Sequence, residues 1–588
     1  MRKLIRPCLG PVSCSLAIML GVQSVYALDF SQGELEGRFT SQLSIGASWS
    51  TENPDKSLLA IANGGTGFSS TGDDGKQNFK KNDSFSEIFK GVHELSLSYR
   101  NYGAFLRGKY WYDRRLKDGN VRHGNVVSGY GDSRNSKKLD DSKFDDLAKF
   151  SGAEILDAYV YGEFEAGDVL MDLRLGRQVV SWGESTFIRD GINAINPVDL
   201  NAFRRPGAEV KEGLLPVNMV FGNFSLTENL TMEAFYQLKW EKTVIDGCGT
   251  FFSGTDVVAT GCDKLTLSGA ALSDKDALAE PDGRGYMSRV GDRDAKDSGQ
   301  YGIALRYFSP ELNDTEFGLY HINYHSRLPV FGGIVSNAAE GTPGVYYMDF
   351  PEDIKLYGVS FSTSAGDYSI AGEISHRPEQ PVSINTTDLL IGALTSGTLG
   401  HLSHRLEAGK QFIGYDRKPV TQAQVTVTRF IDQVMGASRL VLLGEIGYSH
   451  VGELPDKSEV RYGRAPVFGI GKGCNPDNDL FSPAAGHDCT DNGYVTSDAW
   501  GYRMLAALNY SNVISGVNLT PKVAFAHDVS GNSATGVFLE DRQALSFSLG
   551  ADYLNTYTAS LSYSTFWGGK YNTGKDRDFA SLSVGVSF

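Results

Sequence analysis

Residues 578–588, at the end of the sequence, read DFASLSVGVSF. Side chains alternate faces along an extended strand. Phe588, Val586, Val584, Leu582 and Ala580 therefore share one face, and Ser587, Gly585, Ser583 and Ser581 share the other. The first row suits lipid or an apolar core. The second suits water. Two readings fit such a segment: a wall strand of a membrane barrel, or the last edge strand of a soluble β-sandwich. The rest of the chain separates them.

Matching segments of about 10–12 residues recur throughout. The first runs from Arg38 to Trp49, with Phe39, Leu43, Ile45, Ala47 and Trp49 opposite Arg38, Thr40, Gln42, Ser44 and Gly46. Hairpins follow at 87–112, 154–179, 217–240, 300–325, 354–376, 420–448, 499–528 and 542–566, and the terminal strand makes eighteen. Sixteen remains open if one hairpin lies outside the wall. The connections alternate long and short, beginning with a long one at about 51–86, and the short ones are tight turns such as Ala365-Gly366-Asp367. A soluble sandwich has no reason for that alternation. A transmembrane antiparallel β-barrel does, because its periplasmic turns are short, its extracellular loops long, and an even strand number leaves both termini on the periplasmic side. About eleven residues rising ~3.3 Å each at a tilt of ~40° span ~28 Å, the height of an outer-membrane apolar band. Trp49, Tyr112, Trp240, Tyr448, Trp500, Tyr510 and Phe588 fall at strand ends, where an aromatic girdle would sit.

Composition agrees. Gly is abundant at 68, aromatics reach 11%, and Pro is held to 19. No stretch beyond the N-terminus has the ~18 apolar residues of a spanning helix. At the start, Arg2, Lys3 and Arg6 precede an apolar run from Leu9 to Val22, and Val25-Tyr26-Ala27 offers a cleavage site. Residues 1–27 read as a secretory signal peptide. Cys14 precedes most of the apolar run, so no lipid-acceptor pattern is present. Loss of three basic residues moves the net charge from −15 to −18, a poor surface for nucleic acid. Residues 28–588 are expected to form a single domain. Its wall starts about ten residues after the cut, too soon for an N-terminal plug, which needs on the order of 100 residues.

Four cysteines remain after processing: Cys248, Cys262, Cys474 and Cys489. They form two local pairs in polar loops, and loop-local disulfides 248–262 and 474–489 are the simplest pairing in an oxidising compartment. A zinc site is the rival, although no His or Cys cluster has metal spacing.

One long connection differs from the rest. Between the fifth and sixth strands, residues 176–217 read GRQVVSWGESTFIRDGINAINPVDLNAFRRPGAEVKEGLLPV. It is the third long loop, the one that folds inward in porins. Around it Arg174, Arg177, Arg189, Arg204, Arg205 and Lys211 balance Glu184, Asp190, Asp199, Glu209 and Glu212, with Trp182, Phe187, Ile188, Ile192, Ile195 and Phe203 among them. Opposed rows of charge would line a constriction and orient a polar or amphipathic solute. A salt-bridged plug that only stiffens the barrel is the other reading. Strand parity places Arg174 and Gln178 inward and leaves Arg177 near the rim.

GRQVVSWGESTFIRDGINAINPVDL and RRPGAEVKEGLLPV, with DDGKQNF (73–79), GLYHINYHSRLP (318–329), GEISHRPEQP (372–381), LLGEIGYSHV (442–451) and the terminal DRDFASLSVGVSF, resemble a proteobacterial family of outer-membrane proteins known only as a domain of unknown function. The resemblance covers essentially the whole mature chain. It implies an outer-membrane channel, often encoded beside RND-type exporters and a periplasmic partner similar to lipid-sorting proteins. Hydrophobic or amphipathic solutes such as lipids or sterols are the implied cargo. The family offers no catalytic residues to transfer and no cofactor. The terminal Phe588 also resembles the assembly signal of such barrels, which implies contact with the barrel-assembly machinery and then with outer-membrane lipid and lipopolysaccharide.

Weaker constellations complete the inventory. Glu373, Arg377 and Glu445 sit near strand ends beside glycines, where they could meet the loop charges or pair on the wall. His321 and His325 share a strand face ~13 Å apart by strand rise, too far for one metal. Asp477, Asp479 and Asp488 offer acids for calcium or lipopolysaccharide bridging. His527-Asp528 is the one hint of a hydrolase, and a docking barrel serving an exporter complex is the remaining alternative to a channel.

Overall fold

The computed structural model describes residues 28–588 except 132–134, 268–271, 476 and 478–481. The expected signal peptide and Asp479 lie outside the described residues.

Eighteen antiparallel strands form one closed wall, counted here as β1 to β18. The first nine are β1 (Leu35–Ser50), β2 (Ser84–Tyr99), β3 (Tyr102–Asp113), β4 (Ser151–Ala166), β5 (Val169–Gln178), β6 (Val217–Ser225), β7 (Leu230–Gln237), β8 (Tyr301–Ser309) and β9 (Thr315–Tyr324). The second nine are β10 (Ile354–Ala365), β11 (Tyr368–Ser383), β12 (Tyr415–Val434), β13 (Ala437–Val451), β14 (Asp498–Ile514), β15 (Val517–Ser530), β16 (Gln543–Tyr553), β17 (Tyr557–Trp567) and β18 (Phe579–Ser587). Each pairs with its sequence neighbours, and β18 closes on β1 with Gln42 opposite Ser587 and Ser50 opposite Phe579. Phe588 extends that closure: its N–H donates to Ser41 O at 2.8 Å. Closure leaves no unpaired wall edge, the condition for crossing lipid with strands. Among the described residues no helix is long and apolar enough to cross a membrane.

The terminal strand shows how alternation sorts the two faces. Leu582 and Val584 are exposed on the outside, while Ser581 and Ser583 are buried inside and Ser581 Oγ lies 2.7 Å from Ser48 Oγ of β1. The same sorting exposes Phe39, Ile45 and Trp49 outward on β1. The expected hairpins are all present. β11 and β12 overshoot their expected limits, running to Ser383 and from Tyr415, so the wall is taller there. Pro378 is accommodated because the register slips between Arg377 and Gln380, a bulge that frees its missing N–H. A short strand, Leu28–Gln32, folds back on the start of β1 and was not foreseen.

The long connections all leave one end of the wall, and they share cores rather than standing apart. Lys264–Thr266, Tyr286–Arg289, Val345–Asp349, Val330–Ile334 and Gln411–Ile413 form a five-stranded sheet. That sheet buries Leu265, Met287, Phe331, Tyr346 and Met348 against Val460 and Tyr462. A second core joins Phe79, Phe85, Leu139 and Phe144 to Phe251 and the Cys248–Cys262 disulfide. The Cys474–Cys489 disulfide closes a third loop. Both pairs are as their spacing suggested.

Candidate functional site

The loop between β5 and β6 lies inside the barrel and crosses it. Val180, Trp182, Ile192 and Ile195 pack on the inner wall against Met219, Phe235 and Tyr320. Burial of these apolar side chains drives the loop inward. Trp182 donates its indole N–H to Glu233 at 2.5 Å, so its polar atom is satisfied as well. Ile188 reaches farther across and packs on Ala499 and Phe538.

Three wall side chains clamp the loop's backbone. Glu445 accepts the amides of Thr186, Phe187 and Ile188 at 3.0, 2.6 and 2.8 Å. Glu373 accepts those of Glu184 and Ile192 at 2.5 and 2.9 Å, and a Gln424 amide hydrogen at 2.8 Å. Arg377 donates to the carbonyls of Asp190 and Gly191 at 2.9 and 2.6 Å. Gly191 is required there, since a Cβ would overlap the Glu373 carboxylate. Glu373, Arg377 and Glu445 thus do meet the loop, but they bind its peptide groups and not its charges.

The loop's own charges hold its second half. Asp199 caps the helix Leu200–Arg204 through Ala202 N–H and pairs with Lys109 at 2.9 Å, both fully buried. Glu212 closes a capping box with Glu209 and pairs with buried Lys90 at 2.5 Å. Lys211 bridges Glu209 and Glu94, and Glu209 also accepts from Gln42. Pro206 and Gly207 then press on the closure of the wall: a Cβ on Gly46 of β1 would stand 2.6 Å from Pro206, and one on Gly207, whose φ is +65°, 2.7 Å from Ser583 Oγ of β18. The serine row of β18 is a contact surface for the loop.

The remaining candidates are scattered. Arg174 faces inward, pairs with Asp172 and stacks over Phe221, a member of the core the loop packs into. Arg177 bridges Glu154 and Pro216 O at the loop's exit. Glu184 stands 3.9 Å from Arg306 of β8. Arg204 pairs with Asp246 in a neighbouring long connection. Arg205 lies over the Trp111 ring at 4.4 Å and donates to Leu147 O, with no described carboxylate at ion-pair distance. Arg189 and Asp190 likewise have no described ion-pair partner, and Arg189 is exposed in the lumen. The expected opposing rows of free charge are therefore mostly absent, because wall residues neutralise them. Lys90, Glu94 and Glu233 went unremarked in the sequence, although each is a charge at inward parity in mid-strand, which is the signal that would have found them.

Between this loop, the cap and the β14–β18 side of the wall lies a cavity of about 1050 Å³. Its outer end touches Phe68, Phe331 and Val467, and it descends past Phe203, Phe252 and Phe566 to Ser560, three residues from the short-turn end of β17. Six basic side chains line it: Lys76, Arg204, Arg205, Arg503, Arg542 and Arg577. Asp528 is the one acid among its lining residues.

A polar cluster in the cap was also missed. Asp74, His123 and Asp274 bring ligand atoms within 4.8 Å of one another, as do Asp73, Asp74 and Asp256. Such oxygen-rich sets suit a hard divalent cation. Here His123 supplies counter-charge, 3.2 Å from Asp74 and 3.4 Å from Asp274. Burial and the neighbouring Asp274 push Asp73 up to about 8. Burial likewise raises Asp74 and Asp256. Burial would lower His123, but the hydrogen bonds it donates to Asp274 and Asp74 outweigh it and raise the imidazole to about 10. The adjacent pair Asp73–Asp74 lies far in sequence from His123, Asp256 and Asp274, so the set carries no spacing signal. Among the other minor candidates, Asp488, His325 and Asp528 are already engaged by neighbours. Asp488 is taken by Lys570 and Tyr571, each at 2.5 Å. His325 donates to Ser298 O and accepts from Asp353 N–H. Asp528 is clamped by Arg503 and Arg542, while His527 meets Tyr502 at 3.4 Å, so the two make no catalytic dyad.

A closed eighteen-strand wall with lipid-facing apolar rows, a polar interior and a loop folded within defines a bacterial outer-membrane β-barrel. The chain belongs to the family described as "Protein of unknown function (DUF1302)", which matches residues 9–588. No curated protein sequence matches it. Solved structures that align with it include OccAB1 of Acinetobacter baumannii, at TM-score 0.40 and 9% identity over 95% of this chain and 96% of that one. OccK9 (OpdG) of Pseudomonas aeruginosa aligns at TM-score 0.39 and 10% identity, over 94% and 97%. The outer membrane channel DcaP of A. baumannii aligns at 0.34 and 8%, over 95% and 99%.

Proposed function

We propose that the barrel is an outer-membrane channel of fixed aperture that passes a small hydrophobic or amphipathic solute along the β14–β18 side of its lumen. The observation that supports this reading is the reach of the cavity, from aromatic side chains in the cap to Ser560 near the opposite end of the wall. A plug that merely stiffened the barrel would need no such space. The loop narrows the route without having to move, since its backbone is bound at five carboxylate-held amides and two arginine-held carbonyls.

Purified protein in planar bilayers should conduct, and deleting residues 185–205 should raise the conductance. A barrel that stays silent with and without the loop refutes the channel and favours a docking partner of an exporter complex.

A further inference from the structure

We infer that the route selects amphipathic anions, holding an oxyanion head on its arginines while the apolar body lies on its aromatic wall; this rests on the channel reading above. The sign of the cavity carries the inference. Six cationic side chains and one carboxylate line it, in a chain whose net charge is −15. Their direct ion-pair partners are fewer than they are. Asp528 is shared by Arg503 and Arg542, both at 2.6 Å. Asp576 is shared by Lys76 at 2.6 Å and Arg577 at 3.1 Å. Arg204 has Asp246, and Arg205 has no described carboxylate at ion-pair distance. At ion-pair distance these six cations share three carboxylates, while Asp113, Asp199 and Glu212 act on Arg205 from farther away. A low-dielectric cleft lined with one sign of charge focuses its field and concentrates the opposite ion.

The loop adds to the same place. Arg503 and Arg542 both pair with Asp528 at 2.6 Å, and Arg189, exposed at the loop's tip, acts on Arg542 as a like charge. Guanidinium presents paired donors that match a carboxylate or phosphate edge, and keeps its charge at any working pH. Close by, Phe203, Phe252, Phe566 and Phe579 offer apolar surface, with Phe252 and Phe579 5.4 Å apart edge to face and Phe566 stacked 6.4 Å from Phe579. A neutral hydrophobe would use only the second surface. An inorganic anion would use only the first. A molecule with a charged head and an apolar body uses both.

The test measures current through the full chain in planar bilayers. Zero-current potentials in a KCl gradient should show anion preference. Decanoate should block the current at concentrations where decanol, decyltrimethylammonium and acetate do not, and decyl phosphate should block as decanoate does if the oxyanion is what is read. Arg503→Gln with Arg542→Gln should weaken the decanoate block about tenfold, the worth of one charge-assisted hydrogen bond. Arg189→Gln, a change at an exposed side chain, should reduce anion preference even if the double variant fails to assemble. Cation preference, or equal block by decanol and decanoate, overturns the head-group assignment while leaving a conducting channel. A protein with no current overturns the channel reading itself.

Discussion

Replacing Glu445 by alanine should release the tip of the inward loop and leave the wall standing. Glu445 is 2% exposed and uses both carboxylate oxygens on three consecutive loop amides. A hydrogen bond to a charged group contributes about 1.5–3 kcal/mol, and a donor left unpaired in a buried place costs about 1–3 kcal/mol. The lumen admits water once the tip lifts, which offsets part of the loss, so the loop should be destabilised by about 3 kcal/mol. At ~1.4 kcal/mol per decade, amides 186–188 should exchange with solvent roughly a hundredfold faster. The wall strands β12 to β14 should keep their protection, because their ladder bonds involve no Glu445 side-chain atom. Hydrogen exchange read by mass spectrometry on the detergent-solubilised barrel makes the measurement, and bilayer recordings should show new current steps as the freed tip moves. Unchanged exchange at 186–188 would refute the clamp. Equal acceleration throughout β13 would show instead that Glu445 supports the wall.

Three further outcomes follow from the geometry. Cys248→Ser with Cys262→Ser should loosen the cap core around Phe251 by about 3 kcal/mol, the closure entropy of a loop of this length, with faster proteolysis of 241–299 and an unchanged barrel. Raising pH should also loosen the cap. Asp73, raised to about 8, and His123, raised to about 10, both bind protons more tightly folded than unfolded. Their contributions are therefore complete at low pH and are lost as pH rises, through about 8 for Asp73 and about 10 for His123. Protection of amides 60–78, corrected for intrinsic rates, should fall between pH 6 and 9, and Asp73→Asn should flatten the change; a flat profile in the parent protein contradicts it. Deleting Phe588 removes the last backbone pair with Ser41 and is expected to stop assembly, so a deletion variant at normal outer-membrane levels would disprove its role as the signal.

The wall was legible in the sequence because its code is local. A period of two in segments such as 578–588 says which side chains face lipid, and alternating connection lengths say how the strands are ordered. The hairpins and both disulfides needed nothing from distant residues, while the choice of eighteen strands over sixteen waited for the closed wall. The loop's importance was also visible, in its length and in charges set among aromatics. What those charges do was not. Asp199 meets Lys109 across 90 residues, Glu445 meets Thr186 across 259, and Lys76 meets Asp576 across 500.

Composition counts a charge whether it is neutralised or free, and only the closed barrel decides which. It turned a loop of balanced charge into a bound strut. It assembled shared cores for the cap from loops that looked independent. It gathered six basic side chains and one acid on a cavity wall shared by β14 to β18, the cap and the second half of the loop. The terminal strand's serines belong to that surface, since Ser581 lines the cavity and Ser583 meets Gly207. Sequence fixes each side chain's face because alternation is a property of one strand. Its partner is set by the curvature that brings eighteen strands around a single lumen.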